Sequence, residues 1–251
     1  MVQRITINLQ QCRGASLTLE ADQTHYLTRV LRLSAGDRFI AQDGQGQQWL
    51  AALGEQPDQA VLLETIAVAA PSMPPLKLIA ALTKGNSFDQ VVRQASELGA
   101  THIYPALSDR TLLKPSPNRL ARWQRIAQEA SEQSERARVP AVFAPVEFRT
   151  CLALAEHEAD LHSLKYLCGA RSAAQTDSPH LLAQLQTHLT SVNLPSVTLA
   201  IGPEGGWTTE EITVAIAHGY ETVSLGSAIL RAVTASITAL SLVAATRELL
   251  I

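Results

Sequence analysis

The chain has 251 residues and a net charge of −3, and 46% of its residues are hydrophobic against 17% charged. These values exclude a long disordered chain, and the length fits either one large α/β domain or a small domain joined to a medium one. No apolar run reaches the roughly 18 residues of a membrane span and no apolar export signal opens the chain, so we expect neither. Cys12, Cys151 and Cys168 are widely spaced, which predicts a cytoplasmic protein without disulfides or a metal site.

Charge is distributed unevenly along the chain. Residues 1–72 carry a net charge of −2, residues 73–150 one of +4 and residues 151–251 one of −5. Seven of the twenty basic residues lie between Arg110 and Arg138. This density is compatible with an anion-binding face and also with a solvated helix surface, because glutamates are interleaved with the arginines.

The first seventy residues have the pattern of strands and turns with one short helix. Apolar residues at helical spacing between Tyr26 and Leu33 predict the helix, and Gly36 is expected to end it. The sequence DGQG at 43–46 lies between two runs of alternating apolar and polar residues, which predicts a β-hairpin. These features predict a compact β-rich domain.

Three prolines in the segment APSMPP, residues 70–75, predict a linker, since proline continues neither a helix nor a central strand. Strand and helix patterns then alternate, as is typical of a mostly parallel sheet covered by helices. Strands are predicted at 76–83, 101–107, 159–169, 196–202 and 220–226. Helices are predicted at 87–99, 116–134, 208–219 and 229–250. The expected organisation is a β-rich domain over residues 1–72 and an α/β domain over residues 73–251.

The glycine-rich segment IGPEGGW, residues 201–207, lies between a predicted strand and a predicted helix. Loops at the carboxyl ends of parallel strands are where α/β proteins place ligands, and glycine lets the backbone approach a ligand closely. The segment lacks both the lysine of a phosphate-binding loop and the GxGxxG spacing of a dinucleotide site. Thr208 and Glu211 fit a capping box for the following helix, so the glycines are expected in a loop. That loop either holds a ligand or is a plain turn.

The segment SLGSAILRAVTA, residues 224–235, repeats this arrangement one strand later. Two such turns on neighbouring strand ends would form one pocket lined by backbone, with Leu225, Ile229 and Leu230 as apolar walls. Arg231 is a charged residue in an apolar stretch. It is either a solvent-facing helix residue or an anchor for an anion or a polarised carbonyl.

These segments resemble motifs of the SPOUT methyltransferases, specifically the RsmE-like enzymes that methylate N3 of a uridine in bacterial 16S rRNA. IGPEGGWTTEEI and VSLGSAILRAVTA are similar to the family's two C-terminal motifs. Upstream, TKGNSFDQVVRQASELGATHIYP, SDRT, RWQRIAQEASEQSERARVP and HYLTRVLRLSAGD are similar to four further family segments. The resembling segments cover nearly the whole chain in the family's order.

The resemblance implies a PUA-like β-barrel for RNA contact, followed by a SPOUT-type α/β domain with a deep trefoil knot. It also implies a homodimer, S-adenosylmethionine as methyl donor, and a target, uracil 1498 in the family, within the small ribosomal subunit. No membrane and no metal are expected to take part. The expected cofactor-binding residues are Leu82, Thr83, Ile201, Gly202, Pro203, Glu204, Gly205, Gly206, Leu225, Gly226, Ile229, Leu230 and Thr234.

Methylation at uracil N3 requires a deprotonated ring whose negative charge spreads over two carbonyl oxygens. Arg231 is the candidate to stabilise that charge, and it cannot be the base because arginine stays protonated. Glu204 is one candidate base, and His25 or water are others. The candidate RNA-binding residues are Arg4, His25, Arg29, Arg32, Arg110, Arg122, Arg136 and Arg138.

The chain departs from the family pattern at two places. In the last motif, Ser227 and Ala228 replace proline and arginine, and Ala232 and Val233 replace threonine and glutamate. Glu135 replaces a glycine and adds a negative charge near the expected RNA face. A non-catalytic RNA-binding protein of the same fold therefore remains an alternative, as does an α/β enzyme for another adenine-containing ligand.

Overall fold

The computed structural model describes residues 2–67, 73–83, 87–111, 116, 118–156, 163–169, 178–190 and 194–250. The chain divides into two compact units. The first unit comprises Met1–Pro71 and Gln128–Val139, and the second comprises Ser72–Ala127 and Pro140–Ile251. The predicted linker at 70–75 lies partly outside the described residues, and the predicted boundary at residue 72 stays a prediction.

The first unit is built on a six-stranded sheet. Its strands are β1 (Arg4–Thr6), β2 (Cys12–Arg13), β3 (Ser16–Thr18), β4 (Arg38–Gln42), β5 (Gln48–Leu53) and β6 (Gln59–Ile66). Their order is β1-β4-β5-β6-β3-β2, with β1 parallel to β4 and every other pair antiparallel. The sheet curls as a half-barrel around a core that includes the fully buried Leu17, Leu27 and Phe39. This is the β-rich domain that the sequence predicts, and it agrees with the PUA-like domain that the resemblance implies.

The predicted hairpin joins β4 to β5. Gly44 and Gly46 have φ angles of 71° and 116°, in the left-handed region that favours glycine. The Asp43 carboxylate accepts hydrogen bonds from the backbone N–H groups of Gln45 and Gln47, at 2.7 and 3.0 Å. The sequence DGQG therefore supplies both the backbone freedom and the polar group that the turn needs.

The predicted short helix is present but ends early. A 3-10 turn, Leu9–Gln11, precedes it; the helix α1 (Ala21–His25) then continues as a single π-helical turn, Tyr26–Val30. Arg32 takes a left-handed backbone conformation, with φ of 58°. This reversal ends the helix before Gly36, although the apolar spacing extends to Leu33.

A second segment of the chain, Gln128–Val139, completes the first unit. The Glu132 carboxylate accepts the backbone N–H of Thr6 at 2.7 Å, and burial raises the pKa of this carboxyl. Further along, Gln42 donates from its side-chain amide to the Arg136 carbonyl at 3.1 Å. The Val139 N–H donates to the Gly44 carbonyl at 2.8 Å. These bonds attach the segment to β1 and to the hairpin.

The second unit is built on a parallel sheet. Its strands are β7 (Leu76–Ala81), β8 (His102–Leu107), β9 (Ala141–Val142), β10 (Val146–Glu147), β11 (Leu164–Cys168), β12 (Val197–Ile201) and β13 (Glu221–Val223). Their order is β10-β8-β7-β12-β11-β13, with β9 also paired to β8. Every residue of β7 and β12 is buried, as expected of central parallel strands covered on both faces.

Within the described residues, six helices accompany this sheet. They are α2 (Ser87–Glu97), α3 (Asn118–Gln133), α4 (Phe148–Glu156), α5 (Leu181–His188), α6 (Thr209–Ala217) and α7 (Ala232–Glu248). The sequence did not predict β9, β10, α4 or α5. The predicted α/β class with a mostly parallel sheet is confirmed, and the trefoil knot stays a prediction. No helix within the described ranges is long and apolar enough to cross a membrane.

The last helix starts later than predicted. The apolar pattern indicated a helix from Ile229, whereas α7 begins at Ala232 with Arg231 as its N-cap. Arg231 is extended, with φ of −65° and ψ of 152°. Ile229 and Leu230 therefore belong to the preceding loop, because the chain does not enter the α-helical region until after Arg231.

Candidate active site

A pocket lies at the carboxyl ends of three neighbouring strands, β11, β12 and β13. Because the strands are parallel, the loops that follow them meet at one edge of the sheet. We call residues 202–207 the β12 loop and residues 224–231 the β13 loop. The pocket-lining residues are Cys168, Gly169, Ile201, Gly202, Pro203, Gly206, Ser224, Leu225, Gly226, Ala228, Ile229, Leu230, Ala232 and Ala235.

Most of the expected cofactor-binding residues line this pocket. They are Ile201, Gly202, Pro203, Gly206, Leu225, Gly226, Ile229 and Leu230. The others lie outside the lining: Leu82 and Thr83 are buried just beyond the end of β7, and Glu204, Gly205 and Thr234 are exposed. Sequence reasoning missed the contributions of Cys168, Gly169, Ser224, Ala228, Ala232 and Ala235. The β11 residues had no local signal, because their place beside β12 follows only from the strand order.

The β12 loop needs glycine because of a buried tryptophan. A Cβ atom on Gly202 would lie 3.1 to 3.3 Å from the indole of Trp207, closer than an ordinary van der Waals contact. Trp207 is itself fixed by stacking on Phe148, with ring centroids 4.1 Å apart. The Gly206 N–H donates to the Pro203 carbonyl at 2.8 Å and closes the turn. At Gly202 the pocket wall is therefore backbone, and the Trp207 indole packs against it.

The helix after this loop begins with the predicted capping box. The Thr208 hydroxyl accepts the Glu211 N–H at 3.2 Å, and the Glu211 carboxylate accepts the Thr208 N–H at 2.7 Å. The other carboxylate oxygen of Glu211 accepts the backbone N–H of Asp109 at 3.0 Å. Arg110, next to Asp109, donates from its guanidinium to the Gly205 carbonyl. Residues 108–111, which we call the β8 loop, are thus attached to the β12 loop.

The β13 loop presents a second stretch of open backbone. Gly226 has a φ angle of 124°, and a Cβ atom there would meet no atom within 4 Å. The Ser224 hydroxyl accepts the Gly226 N–H at 3.1 Å and shapes the turn. Of the described pocket-lining residues, none has a side chain that is charged at neutral pH. Burial raises the pKa of Cys168 to about 12, so this thiol stays neutral.

Both candidate catalytic residues are next to pocket-lining residues in the sequence but do not line the pocket themselves. Arg231 is exposed and stands between the lining residues Leu230 and Ala232. Glu204 is exposed and follows the lining residue Pro203. Within the described part of the chain, neither side chain has a hydrogen-bonding or ion-pairing partner. Each side chain is therefore available to a molecule that binds from solvent.

Four of the predicted RNA-binding residues are exposed on the first unit: His25, Arg29, Arg32 and Arg138. His25 and Arg29 line one open surface groove. Arg4 instead forms an ion pair with Glu135 at 3.0 Å and is only 14% exposed. Arg136 is half-buried, and burial lowers its pKa. Three of these four residues are arginines, and Arg13 and Arg38 are also exposed on this unit.

In the second unit, the two predicted RNA-binding arginines already have protein partners. The Arg122 guanidinium binds one oxygen of Asp89 through two nitrogens, at 2.9 and 2.8 Å. The other Asp89 oxygen accepts the indole N–H of Trp123 at 3.0 Å. Arg110 is bound to the Gly205 carbonyl. Both arginines thus link elements of the second unit.

Two families match the chain. Residues 71–244 match the RNA methyltransferase domain, and residues 19–65 match the RNA methyltransferase PUA domain. Together with the parallel sheet and the pocket at its edge, these matches define an RNA methyltransferase. A ribosomal RNA small subunit methyltransferase E from Synechocystis is 46% identical over 250 residues, which cover 99% of this chain and 79% of that protein. The chain belongs to the ribosomal RNA small subunit methyltransferase E family.

Solved structures show the same similarity. The ribosomal RNA small subunit methyltransferase E from Neisseria gonorrhoeae, bound to S-adenosyl methionine, superposes with a TM-score of 0.81 at 27% identity, covering 99% of this chain and 98% of that one. The putative methyltransferase Lpg2936 from Legionella pneumophila, in complex with the same cofactor, has a TM-score of 0.81 at 28% identity and covers 98% of both chains. The fold of this chain is therefore that of methyltransferases which bind this cofactor.

Proposed function

We propose that this chain transfers the methyl group of S-adenosylmethionine to N3 of a uridine in 16S rRNA, the position of uracil 1498 in the family. The observation that carries the proposal is the pocket at the ends of β11, β12 and β13. Its position corresponds to the ligand-binding edge of α/β sheets, and related chains of the same fold bind this cofactor.

The residues present fit such a cofactor. Gly202, Gly206 and Gly226 line the pocket without side chains, so an adenosine can approach the backbone closely there. Leu225 and Leu230 offer apolar surface for the base and ribose. The cofactor supplies a methyl group already activated on a sulfonium. The protein's part is to hold donor and acceptor in line and to exclude water.

Arg231 has the role of stabilising the uracil anion. Its guanidinium has no protein partner in the described residues, and Arg231 stands between the pocket-lining residues Leu230 and Ala232. A positive charge there would stabilise the negative charge that develops on the uracil oxygens as N3 loses its proton. Glu204 is the candidate acceptor of that proton, because it lies between the pocket-lining Pro203 and Gly206. His25, which lies in the first unit, and water are the other candidates.

Methylation of small ribosomal subunits tests the proposal. Subunits from a strain that lacks the gene are incubated with radiolabelled cofactor, and the modified base is mapped by the block it causes to reverse transcription. Wild-type protein is expected to label one uridine, whereas Arg231→Ala should lower kcat by about 100-fold with unchanged affinity for S-adenosylhomocysteine. Arg149→Ala, which removes an exposed arginine from α4, is the matched control. No labelling by wild-type protein contradicts the function, and full activity of Arg231→Ala contradicts only the role of Arg231.

The two units have different roles in the proposed reaction. The first unit binds RNA through exposed His25, Arg29, Arg32 and Arg138, and the second carries out methyl transfer. Phosphate contacts of this kind lose affinity as salt concentration rises. As the family resemblance implies, we propose that the protein acts as a homodimer in the cytoplasm.

A further inference from the structure

Glu211 contacts more than its own helix. It is 3% exposed, and its two carboxylate oxygens accept hydrogen bonds from different loops. One oxygen accepts the Thr208 N–H at the start of α6, and the other accepts the N–H of Asp109 in the β8 loop. A capping box needs only the first of these bonds. The second bond joins residues 102 positions apart in the sequence.

Two further contacts join the same loops. The Thr208 hydroxyl donates to the Asp109 carboxylate at 3.2 Å. The Arg110 guanidinium donates to the Gly205 carbonyl, and its Cδ would lie 3.2 Å from a Cβ atom placed on Gly205. The β12 loop is therefore held at the Gly205 carbonyl by Arg110, and Glu211 holds Thr208, the residue that follows the loop. Its inner side, at Gly202, Pro203 and Gly206, lines the pocket.

We propose that Glu211 and Arg110 are positioning residues for methyl transfer. Glu211 fixes the β8 loop against the start of α6, and Arg110, presented by that loop, fixes the β12 loop from outside. The backbone groups of Gly202 and Gly206 are thereby held where a cofactor is to be bound. This inference rests on the proposed function, since it assigns the β12 loop to cofactor binding. It also gives Arg110 a role other than phosphate contact.

The test compares Glu211→Gln with Glu210→Gln. Both substitutions remove one negative charge from the first turn of α6, but Glu210 is exposed and makes no hydrogen bond or ion pair with either loop in the described residues. The amide of Glu211→Gln retains one oxygen and therefore loses one of the two acceptors. Arg110→Met is the second variant, because it keeps the aliphatic packing on Gly205 and removes the donor.

Titration calorimetry with S-adenosylhomocysteine and steady-state methylation of small subunits give the measurements. We expect the dissociation constant and the KM for S-adenosylmethionine to rise about tenfold in Glu211→Gln and in Arg110→Met, with kcat at saturating cofactor close to that of wild type. Glu210→Gln should match wild type in all three quantities.

A purely structural role predicts a different pattern. The unfolding midpoint of Glu211→Gln would fall while the dissociation constant and KM stayed unchanged, and that result overturns the inference. If Glu211→Gln does not fold, Arg110→Met decides: unchanged cofactor affinity in it overturns the inference. Failure of the wild-type protein to bind S-adenosylhomocysteine contradicts the proposed function itself and is seen before any variant is compared.

Discussion

The hydrogen bond between Asp89 and the buried indole of Trp123 offers a quantitative test of how the second unit is held together. Trp123 is fully buried on α3 and packs against Phe88, with ring centroids 4.7 Å apart. Asp89→Ala leaves the indole N–H buried without its acceptor, at a cost of about 1 to 3 kcal/mol. The lost ion pair with Arg122 adds at most about 1 kcal/mol, because the Arg122 side chain is 61% exposed.

A double-mutant cycle separates these contributions. Trp123→Phe removes the indole N–H, so the cost of leaving it without an acceptor is absent when Asp89→Ala is made in that background. We expect a coupling free energy of about 1 to 3 kcal/mol between the two substitutions, measured by urea unfolding followed by circular dichroism. Arg122→Ala alone should cost less than about 1 kcal/mol. A coupling below about 0.5 kcal/mol, which is the ordinary error of additivity, would refute the reasoning.

Two further substitutions test the pocket and the RNA face. Gly202→Ala places a methyl group 3.1 to 3.3 Å from the Trp207 indole. We therefore expect S-adenosylhomocysteine to bind about tenfold more weakly, as measured by calorimetry. An unchanged dissociation constant would show that the loop accommodates the methyl group without cost. Glu135→Gly removes a side chain from a left-handed position, with φ of 60°, and releases Arg4 from its ion pair. Relief of the backbone strain offsets the loss of this partly buried ion pair, so the free energy of unfolding should stay within about 1 kcal/mol of wild type. RNA should bind about twofold or more tighter at low salt, and weaker binding in a filter assay would contradict a phosphate role for Arg4.

The sequence predicted features whose cause is local. The hairpin is specified by the backbone and side-chain preferences of Asp43, Gly44 and Gly46 themselves. The capping box likewise involves only Thr208 and Glu211, which lie within four consecutive residues. The start of α7 was placed three residues too early because Ile229 and Leu230 continue its apolar pattern. These side chains line the pocket instead. Periodicity does not distinguish a helix face from a ligand-binding wall.

Features that depend on distant pairing were not predictable in this way. Cys168 lines the pocket because β11 lies between β12 and β13, an order that no local pattern specifies. The basic run was predicted as an RNA face, but the partners of Arg122 and Arg110 lie 33 and 95 residues away. Charge density alone does not tell which arginines have protein partners.

The first unit is formed by two segments that are far apart in the sequence, and this has a consequence for synthesis on the ribosome. Gln128–Val139 belongs to this unit, and its bonds to Thr6, Gln42 and Gly44 cannot form until it has emerged. Domains usually fold in order from the N-terminus, while the ribosome adds about 5 to 20 residues per second. Here β7, β8 and the whole of α3 must emerge from the ribosome before the first unit is complete. The first unit can therefore be completed only after much of the second unit has been synthesised. A chain stalled after residue 71 would lack the Glu132 carboxylate that binds β1.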